Sequence, residues 1–121
     1  MKKILIVEDD VDIHNLIKSV LEKERYEIIS AYSGTEALLL IEKNNINLIL
    51  LDLMLPGLTG EEIIKKVTDI PIIVISAKIS SEDKVNVLSG GANDYITKPF
   101  DANELLARVK VHLRINKKEQ N

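Results

Sequence analysis

The sequence contains no cysteine, which excludes disulfide bridges and thiolate metal sites and fits a reducing compartment. Tryptophan is also absent, and aromatic residues make up 3% of the chain, too few for a platform on which single-stranded nucleic acid would stack. No apolar run approaches the ~20 residues that a membrane-spanning helix needs. The amino-terminal stretch MKKILIVEDD starts basic, but its apolar run is only four residues long before acids follow; no signal peptide is expected there. A strong excess of either charge is missing too. Sixteen basic against nineteen acidic residues leave a net charge of −3, which does not advertise nucleic-acid binding. What remains is 121 residues with 45% apolar content, one domain in size, with enough apolar surface for a core that needs no staples. The composition reads as a soluble, cytoplasmic, single-domain protein and leaves its function open.

Five short apolar runs recur: KILIVE (3–8), YEIIS (26–30), NLILL (47–51), PIIVIS (71–76) and DYIT (94–97). Most are rich in isoleucine, valine and leucine and are continuous rather than alternating, the pattern of strands covered on both faces. Segments of helical period lie between them. Ile13, Leu16, Ile17, Val20 and Leu21 form one stripe, Ala37, Leu38 and Ile41 a second, and Leu105, Leu106, Val109 and Leu113 a third. Ser33, Thr59 and Asp101 each stand three residues before a glutamate, the spacing of a capping box or its aspartate variant. Asp10 is placed to cap the first helix and Ser80 or Ser81 the fourth, which Gly90-Gly91 ends. Strand and helix thus alternate five times, which predicts an α/β fold: an open parallel sheet with helices on both faces. The polar ending NKKEQN (116–121) reads as a fraying tail or the start of a linker.

In such a sheet, ligands bind outside the carboxyl ends of the strands, where the strand order reverses. The residues that follow the apolar runs are therefore the candidates. Glu8, Asp9 and Asp10 follow the first run and Asp52 the third; the fourth ends in Ser76 and the fifth in Thr97, Lys98 and Pro99. Parallel strands would bring all four ends to one edge. Taken alone, Asp52 has an equally good structural explanation as a turn-capping aspartate; taken with the other three ends, it reads as part of a shared pocket. Clustered carboxylates repel, and burying them unpaired costs several kcal/mol per ion. A hard cation relieves this, and magnesium suits an incomplete shell of carboxylates that leaves room for a phosphoryl group. With Lys98 as a point charge and Ser76 as a hydroxyl donor, the set fits phosphoryl transfer, and a carboxylate can itself be the nucleophile.

At these residues the chain closely resembles the receiver domain of bacterial two-component response regulators, from residue 2 to about 115. The motifs ILIVEDD, LILLDLMLPGLTG, IIVISA and GANDYITKPF stand in that family's order and spacing. The ending KPFDANELLARVKVHLR resembles the subfamily whose receivers precede a winged-helix DNA-binding domain. The resemblance implies a flavodoxin-like, doubly wound five-stranded parallel sheet of order 2-1-3-4-5 with five helices, a receiver domain over 1–115, and a linker or tail over 116–121. It makes Asp52 the phosphoacceptor and Asp9 a direct ligand of magnesium (manganese as a substitute). Glu8 would act mainly through water, and the Met54 carbonyl would be the third protein ligand. Ser76 matches the switch hydroxyl, Tyr95 the switch aromatic and Lys98 the lysine that contacts the phosphoryl group; the Lys98–Pro99 bond would be cis.

The function implied is a phosphorylation-activated switch rather than a multiple-turnover enzyme. A sensor histidine kinase would donate the phosphoryl group, and the chain would catalyse its own phosphorylation and dephosphorylation at Asp52. Ser76 and Tyr95 would then shift a pre-existing equilibrium toward a homodimer through the face of the fourth helix, fifth strand and fifth helix. That face would carry an apolar patch of Val85, Leu88 and Leu106, with Lys84–Glu104 and Asp94–Arg108 as cross-subunit ion pairs. Exposed pairs of this kind contribute about 0–1 kcal/mol each and set register more than affinity. DNA would be reached only through an output domain that this chain lacks, and no membrane partner is implied; the resemblance favours a chain cut from a longer regulator. Two departures bear on the face: Asn93 stands where the family often has another acid, and Ser89 where the subfamily often has a glutamate. Two others bear on phosphate lifetime. Met54 follows Asp52 by two residues and Lys78 follows Ser76 by two, and neither orients a water well, which implies slow self-dephosphorylation.

Other classes fit less well. An aspartate-nucleophile phosphohydrolase usually needs a second aspartate where this chain has Met54. A nucleotide- or flavin-binding module needs a glycine-rich loop after the first strand, where this chain has VEDDVDI. A receiver used without phosphorylation would have little need of the full set of Glu8, Asp9, Asp52, Ser76 and Lys98. Tyr95 by itself reads as an ordinary half-buried strand tyrosine. Lys84, Arg108 and Lys110 by themselves read as a solvated helix face, and His14 and His112 as surface or boundary residues without metal-ligand company.

Overall fold

The computed structural model describes residues 1–77 and 80–119, with side chains through Arg114. Lys78, to which the sequence assigns a part in phosphate lifetime, lies outside the described residues, as do positions 120 and 121. The apolar runs form five strands, β1 (Lys3–Val7), β2 (Glu27–Ala31), β3 (Leu48–Leu51), β4 (Ile72–Ser76) and β5 (Asp94–Thr97). All neighbours are parallel, in the order β2-β1-β3-β4-β5. Five helices alternate with them: α1 (Val11–Glu22), α2 (Gly34–Lys43), α3 (Gly60–Lys66), α4 (Ser81–Ser89) and α5 (Ala102–Glu119). This is the doubly wound, flavodoxin-like arrangement that the alternation and the resemblance imply. The helical backbone runs on through Glu119, so the polar stretch read as a tail from 116 is helical as far as that residue.

Strand side chains point alternately to opposite faces, and continuous apolar runs therefore feed two separate cores. Ile4, Ile6, Leu48, Leu50, Ile73, Ile75 and Ile96 pack against Ile17 and Leu21 of α1 and Leu105, Val109 and Leu113 of α5. Leu5, Val7, Ile49, Leu51, Ile72, Val74 and Tyr95 pack against Ala37 of α2, Ile63 and Ile64 of α3 and Val87 of α4. Leu16 departs from the stripe assigned to the first helix and is 53% exposed. At about 100° per residue, the sheet-facing ridge of α1 is centred on Ile17 and Leu21 with Ile13 and Val20 beside it, which turns Leu16 outward.

The helix starts follow the capping spacing. Asp10 accepts from the Ile13 N–H at 3.0 Å, and Ser33 accepts from the Glu36 N–H at 3.2 Å. Thr59 with Glu62 and Ser80 with Asp83 form reciprocal capping boxes, which selects Ser80 over Ser81 as the cap of α4. Asp101 accepts from both Asn103 and Glu104. Gly60, the first residue of α3, sits directly behind the end of β3. A Cβ there would lie 2.7 Å from the Leu53 Cα and 2.8 Å from the Asp52 carbonyl oxygen, and backbone atoms cannot yield as a side chain would. Gly60→Ala is therefore expected to lower stability by about 1–3 kcal/mol, read as a fall in the urea midpoint. An unchanged midpoint would mean that the Asp52–Leu53 backbone is less firmly held than this packing implies.

Candidate functional site

The sheet register brings the strand ends together. Val7 lies opposite Leu51, so Glu8 and Asp52, each the next residue, leave adjacent strands side by side at the point where the strand order reverses. The Asp52 N–H still donates to the Val7 carbonyl at 3.0 Å, which extends the ladder to the rim. Ser76 lies opposite Thr97 at the ends of β4 and β5, and the Lys98 N–H donates to the Ser76 carbonyl at 2.8 Å. The Lys98–Pro99 peptide is cis, as the resemblance implies.

Glu8, Asp52 and Ser76 are all buried, with exposures of 2%, 6% and 3%. The Lys98 ammonium donates to Glu8 Oε1 at 2.5 Å and to Asp52 Oδ2 at 3.0 Å. The other oxygen of Asp52 accepts from the Met54 N–H at 3.0 Å. Asp52 thus closes the turn after β3 and faces the pocket with the same carboxylate, so the turn-capping and pocket readings hold together. Burial pushes the Glu8 carboxyl up to about 7, against the pull of its Lys98 bond, with the Asp52 charge adding to the rise. Burial alone would lower the Lys98 ammonium, but its bonds to Glu8 and Asp52 outweigh that and hold it above its ordinary range.

Carboxylate oxygens of Glu8, Asp9 and Asp52 lie within 4.8 Å of one another. Two are buried acids sharing a single ammonium, the third is the exposed Asp9, and all are hard oxygen donors. This set can hold a divalent cation, since one ammonium stands against three carboxylates. The Met54 side chain is 76% exposed beside it and supplies no acid or base of its own.

The candidate switch pair lies next to this cluster. The Tyr95 ring is only 8% exposed, inside the core rather than on the half-buried surface, with the Lys84 ammonium 5.4 Å from its centroid. Its hydroxyl is buried without a hydrogen-bond partner among the described residues. On the face proposed for self-association, Val85 and Leu88 are 61% and 44% exposed, while Leu106 is partly buried against the core. Arg108 donates to Asp94 at 2.7 Å and to Glu104 at 3.3 Å within the same chain. A cross-subunit Asp94–Arg108 pair would require exchange of these partners. Asp94 also meets His112 Nε2 at 3.0 Å; burial works against its charge, yet the bonds from His112 and Arg108 hold it below its ordinary range.

Three residues have parts that the sequence reading missed. His14 is fully buried rather than at the surface, its ring stacked on Tyr32 and its Nδ1 2.9 Å from the Glu8 carbonyl oxygen. The clue available was position: it follows Asp10, the cap of α1, by one helical turn and so sits beneath the acidic loop. His112 is engaged with Asp94 instead of standing apart. Asn93 accepts from the Ile72 N–H through its side chain at 2.9 Å and donates its own N–H to the Ile72 carbonyl at 2.8 Å. This pairing anchors the start of β4, and because the side chain only accepts in it, an aspartate at this position could make the same two bonds.

Comparison with known proteins agrees with this geometry. The family described as "Response regulator receiver domain" matches residues 4–110. The regulatory protein VanR of Enterococcus faecium is 46% identical over 119 residues, which cover 96% of this chain and 52% of VanR; the chain spans about half the length of that relative. The receiver domain of the Francisella response regulator 1452 superposes with a TM-score of 0.90 at 36% identity, covering 94% of this chain and 98% of that one. A CheY-like receiver domain protein from Methanospirillum hungatei superposes with a TM-score of 0.92 at 36% identity, covering 98% of both chains.

The raised Glu8 carboxyl makes stability depend on pH. Between its ordinary value of 4.5 and about 7, the folded chain holds a proton that the unfolded chain has lost, so stability falls as pH rises through that window. Asp94 acts with the opposite sign, but only below its ordinary 3.8, and does not overlap. In chelator, the urea-derived stability should drop across the window by on the order of 2 kcal/mol, and Glu8→Gln should flatten the slope. A slope as steep in Glu8→Gln as in the wild type would assign it to another group.

Proposed function

Because this chain belongs to the response regulator receiver family, we propose that it is a phosphorylation-driven signalling switch whose phosphoacceptor is Asp52. The observation that carries this is the Asp52 carboxylate itself. It is 6% exposed at the end of β3, 3.0 Å from the Lys98 ammonium and within 4.8 Å of the Glu8 and Asp9 carboxylates. A sensor histidine kinase presents a phosphohistidine, and an Asp52 oxygen attacks phosphorus in line. The O–P bond forms as the P–N bond breaks, and the electron pair leaves with the imidazole nitrogen. The product is an acyl phosphate on Asp52.

Asp9, Asp52 and the Met54 carbonyl, with Glu8 behind them, would hold magnesium, which when bound supplies positive charge against the carboxylates and the phosphoryl oxygens. Lys98 supplies a fixed charge from the other side, and Ser76 donates a hydrogen bond to a phosphoryl oxygen. Catalysis here is positioning and charge neutralisation, and no turnover on an outside substrate is involved. A Ser76 drawn toward the phosphoryl group changes what Tyr95 packs against, and the equilibrium between two states moves. The favoured state pairs two chains through α4, β5 and α5, with Val85, Leu88 and Leu106 as the apolar centre. Lys84–Glu104 and Asp94–Arg108 would pair across the interface once Arg108 exchanges its partners. The similarity to VanR, a regulatory protein about twice as long, supports a further output domain, and the resemblance of KPFDANELLARVKVHLR to receivers that precede a winged helix supports its acting on DNA. A cytoplasmic site of action belongs to this proposal through the kinase partner; among the described residues no helix is long and apolar enough to cross a membrane.

Intact mass after incubation with acetyl phosphate tests the phosphoacceptor. One phosphoryl group should be added in magnesium, and none in chelator or in Asp52→Asn. A wild type that stays unmodified would move the function toward a phosphorylation-independent module. The lifetime of the adduct tests the site's surroundings. Met54 offers nothing to orient an attacking water, so the phosphorylated wild type should decay slowly and Met54→Asn several-fold faster. Fast decay in the wild type, unchanged in Met54→Asn, would refute that part.

A further inference from the structure

We infer that His14 is a positioning residue for the acidic loop: its Nδ1–H holds the Glu8 carbonyl and so sets the peptide that carries Asp9. This rests on the proposal that Glu8, Asp9 and Asp52 take a divalent cation. His14 is fully buried, one turn into α1, with Nδ1 2.9 Å from the Glu8 carbonyl oxygen. A carbonyl oxygen only accepts, so Nδ1 carries the proton. In a neutral ring Nε2 is then a bare lone pair, and Nε2 is buried without a hydrogen-bond partner among the described residues. An apolar ring would fill this space and strand no nitrogen. What imidazole adds over phenylalanine at this position is one donor, and that donor is aimed at Glu8.

The ring is not free to swing away. Tyr32, the residue after β2, stacks on it with centroids 4.2 Å apart and planes 18° from parallel. Glu8 is consequently held at every polar group. Its N–H donates to the Ala31 carbonyl at 3.1 Å, its carbonyl accepts from His14, and its carboxylate accepts from Lys98 at 2.5 Å and from the Asp10 N–H at 3.2 Å. The Glu8 carbonyl and the Asp9 N–H belong to one planar peptide, so fixing the oxygen also fixes the direction in which the chain enters Asp9. Asp9 is the exposed acid of the cluster, the one with least packing of its own to orient it. The stack with Tyr32 carries that orientation through to β2.

The test separates the donor from the ring. Long-range proton–nitrogen correlation spectra of the 15N-labelled wild type should show the Nδ1–H tautomer for His14. Calorimetric titration with magnesium chloride, beside urea denaturation, should then divide two variants. His14→Phe keeps the ring and most of the stability but should bind magnesium about tenfold more weakly, the usual scale for losing a group that orients a ligand. His14→Asn places an amide N–H near the Nδ1 position; it should recover most of the affinity while its urea midpoint falls with loss of the stack. An Nε2–H tautomer, or His14→Phe with wild-type affinity, would overturn the assignment. If His14→Phe does not fold, the tautomer and the affinity of His14→Asn relative to His14→Ala decide it, equal affinities counting against. A wild type that binds no magnesium would overturn the cation reading and this one with it, whereas wild-type binding undiminished by loss of the donor overturns only the role of His14.

Discussion

Everything at the carboxyl edge of the sheet depends on the Lys98 ammonium, which lies between two buried carboxylates. The strand order brings Glu8 and Asp52 side by side, and burial removes the water that would screen them. Two such acids left unpaired would oppose assembly by several kcal/mol each. Lys98 reaches both, at 2.5 and 3.0 Å, from the far end of β5. Its partners lie 90 and 46 residues earlier in the chain, so the pair of contacts exists only when β1, β3, β4 and β5 are all in register. One ammonium for two carboxylates still leaves the cluster short of positive charge. Burial, with the neighbouring Asp52 charge adding to it, is why Glu8 holds its proton to an unusually high pH, and the unbalanced carboxylates are why the site suits a cation and an incoming phosphoryl group.

The same contact links chemistry to the surface. Lys98 follows β5, whose first residues, Asp94 and Tyr95, face α4 and α5. Asp94 ties β5 to α5 through Arg108 and His112, and Tyr95 lies in the core under Lys84 of α4. A phosphoryl group that competes for Lys98 and Ser76 would therefore act at one end of a short strand whose other contacts belong to the proposed interface. The ring of Tyr95 is already inside in this structure. Under a population-shift account, phosphorylation would then deepen a state the chain already visits, and the partners of Arg108 would be the larger rearrangement.

The fold was legible in the sequence because its signals are local. Continuous branched apolar runs mark strands covered on both faces, and Ser33, Thr59, Asp101 and Asp10 mark helix starts by side-chain hydrogen bonds that span three residues or fewer. Asp52, Lys98, Glu8 and Ser76 were legible for a related reason: polar residues at the ends of apolar runs have nowhere to go but the sheet edge. Leu16 was misread because an apolar residue at a plausible helical spacing does not say where the face of the stripe is centred. His14 and Asn93 were misread or left without a role because their partners, Tyr32 and Ile72, come from other elements and no local pattern announces them.

The sequence by itself determined the alternation of strands and helices, the caps, the two-sided burial of the sheet and the residue types at its carboxyl edge. Those follow from hydrophobic period and from hydrogen bonds within a few positions of one another. The tertiary structure alone decided which acids share Lys98, that Tyr95 lies inward, that Arg108 pairs within its own chain, and that His14 is buried beneath the acidic loop. Each of those depends on a distance between residues far apart in the chain, and such distances are set only when the register of the sheet and the packing of helices on both faces are in place.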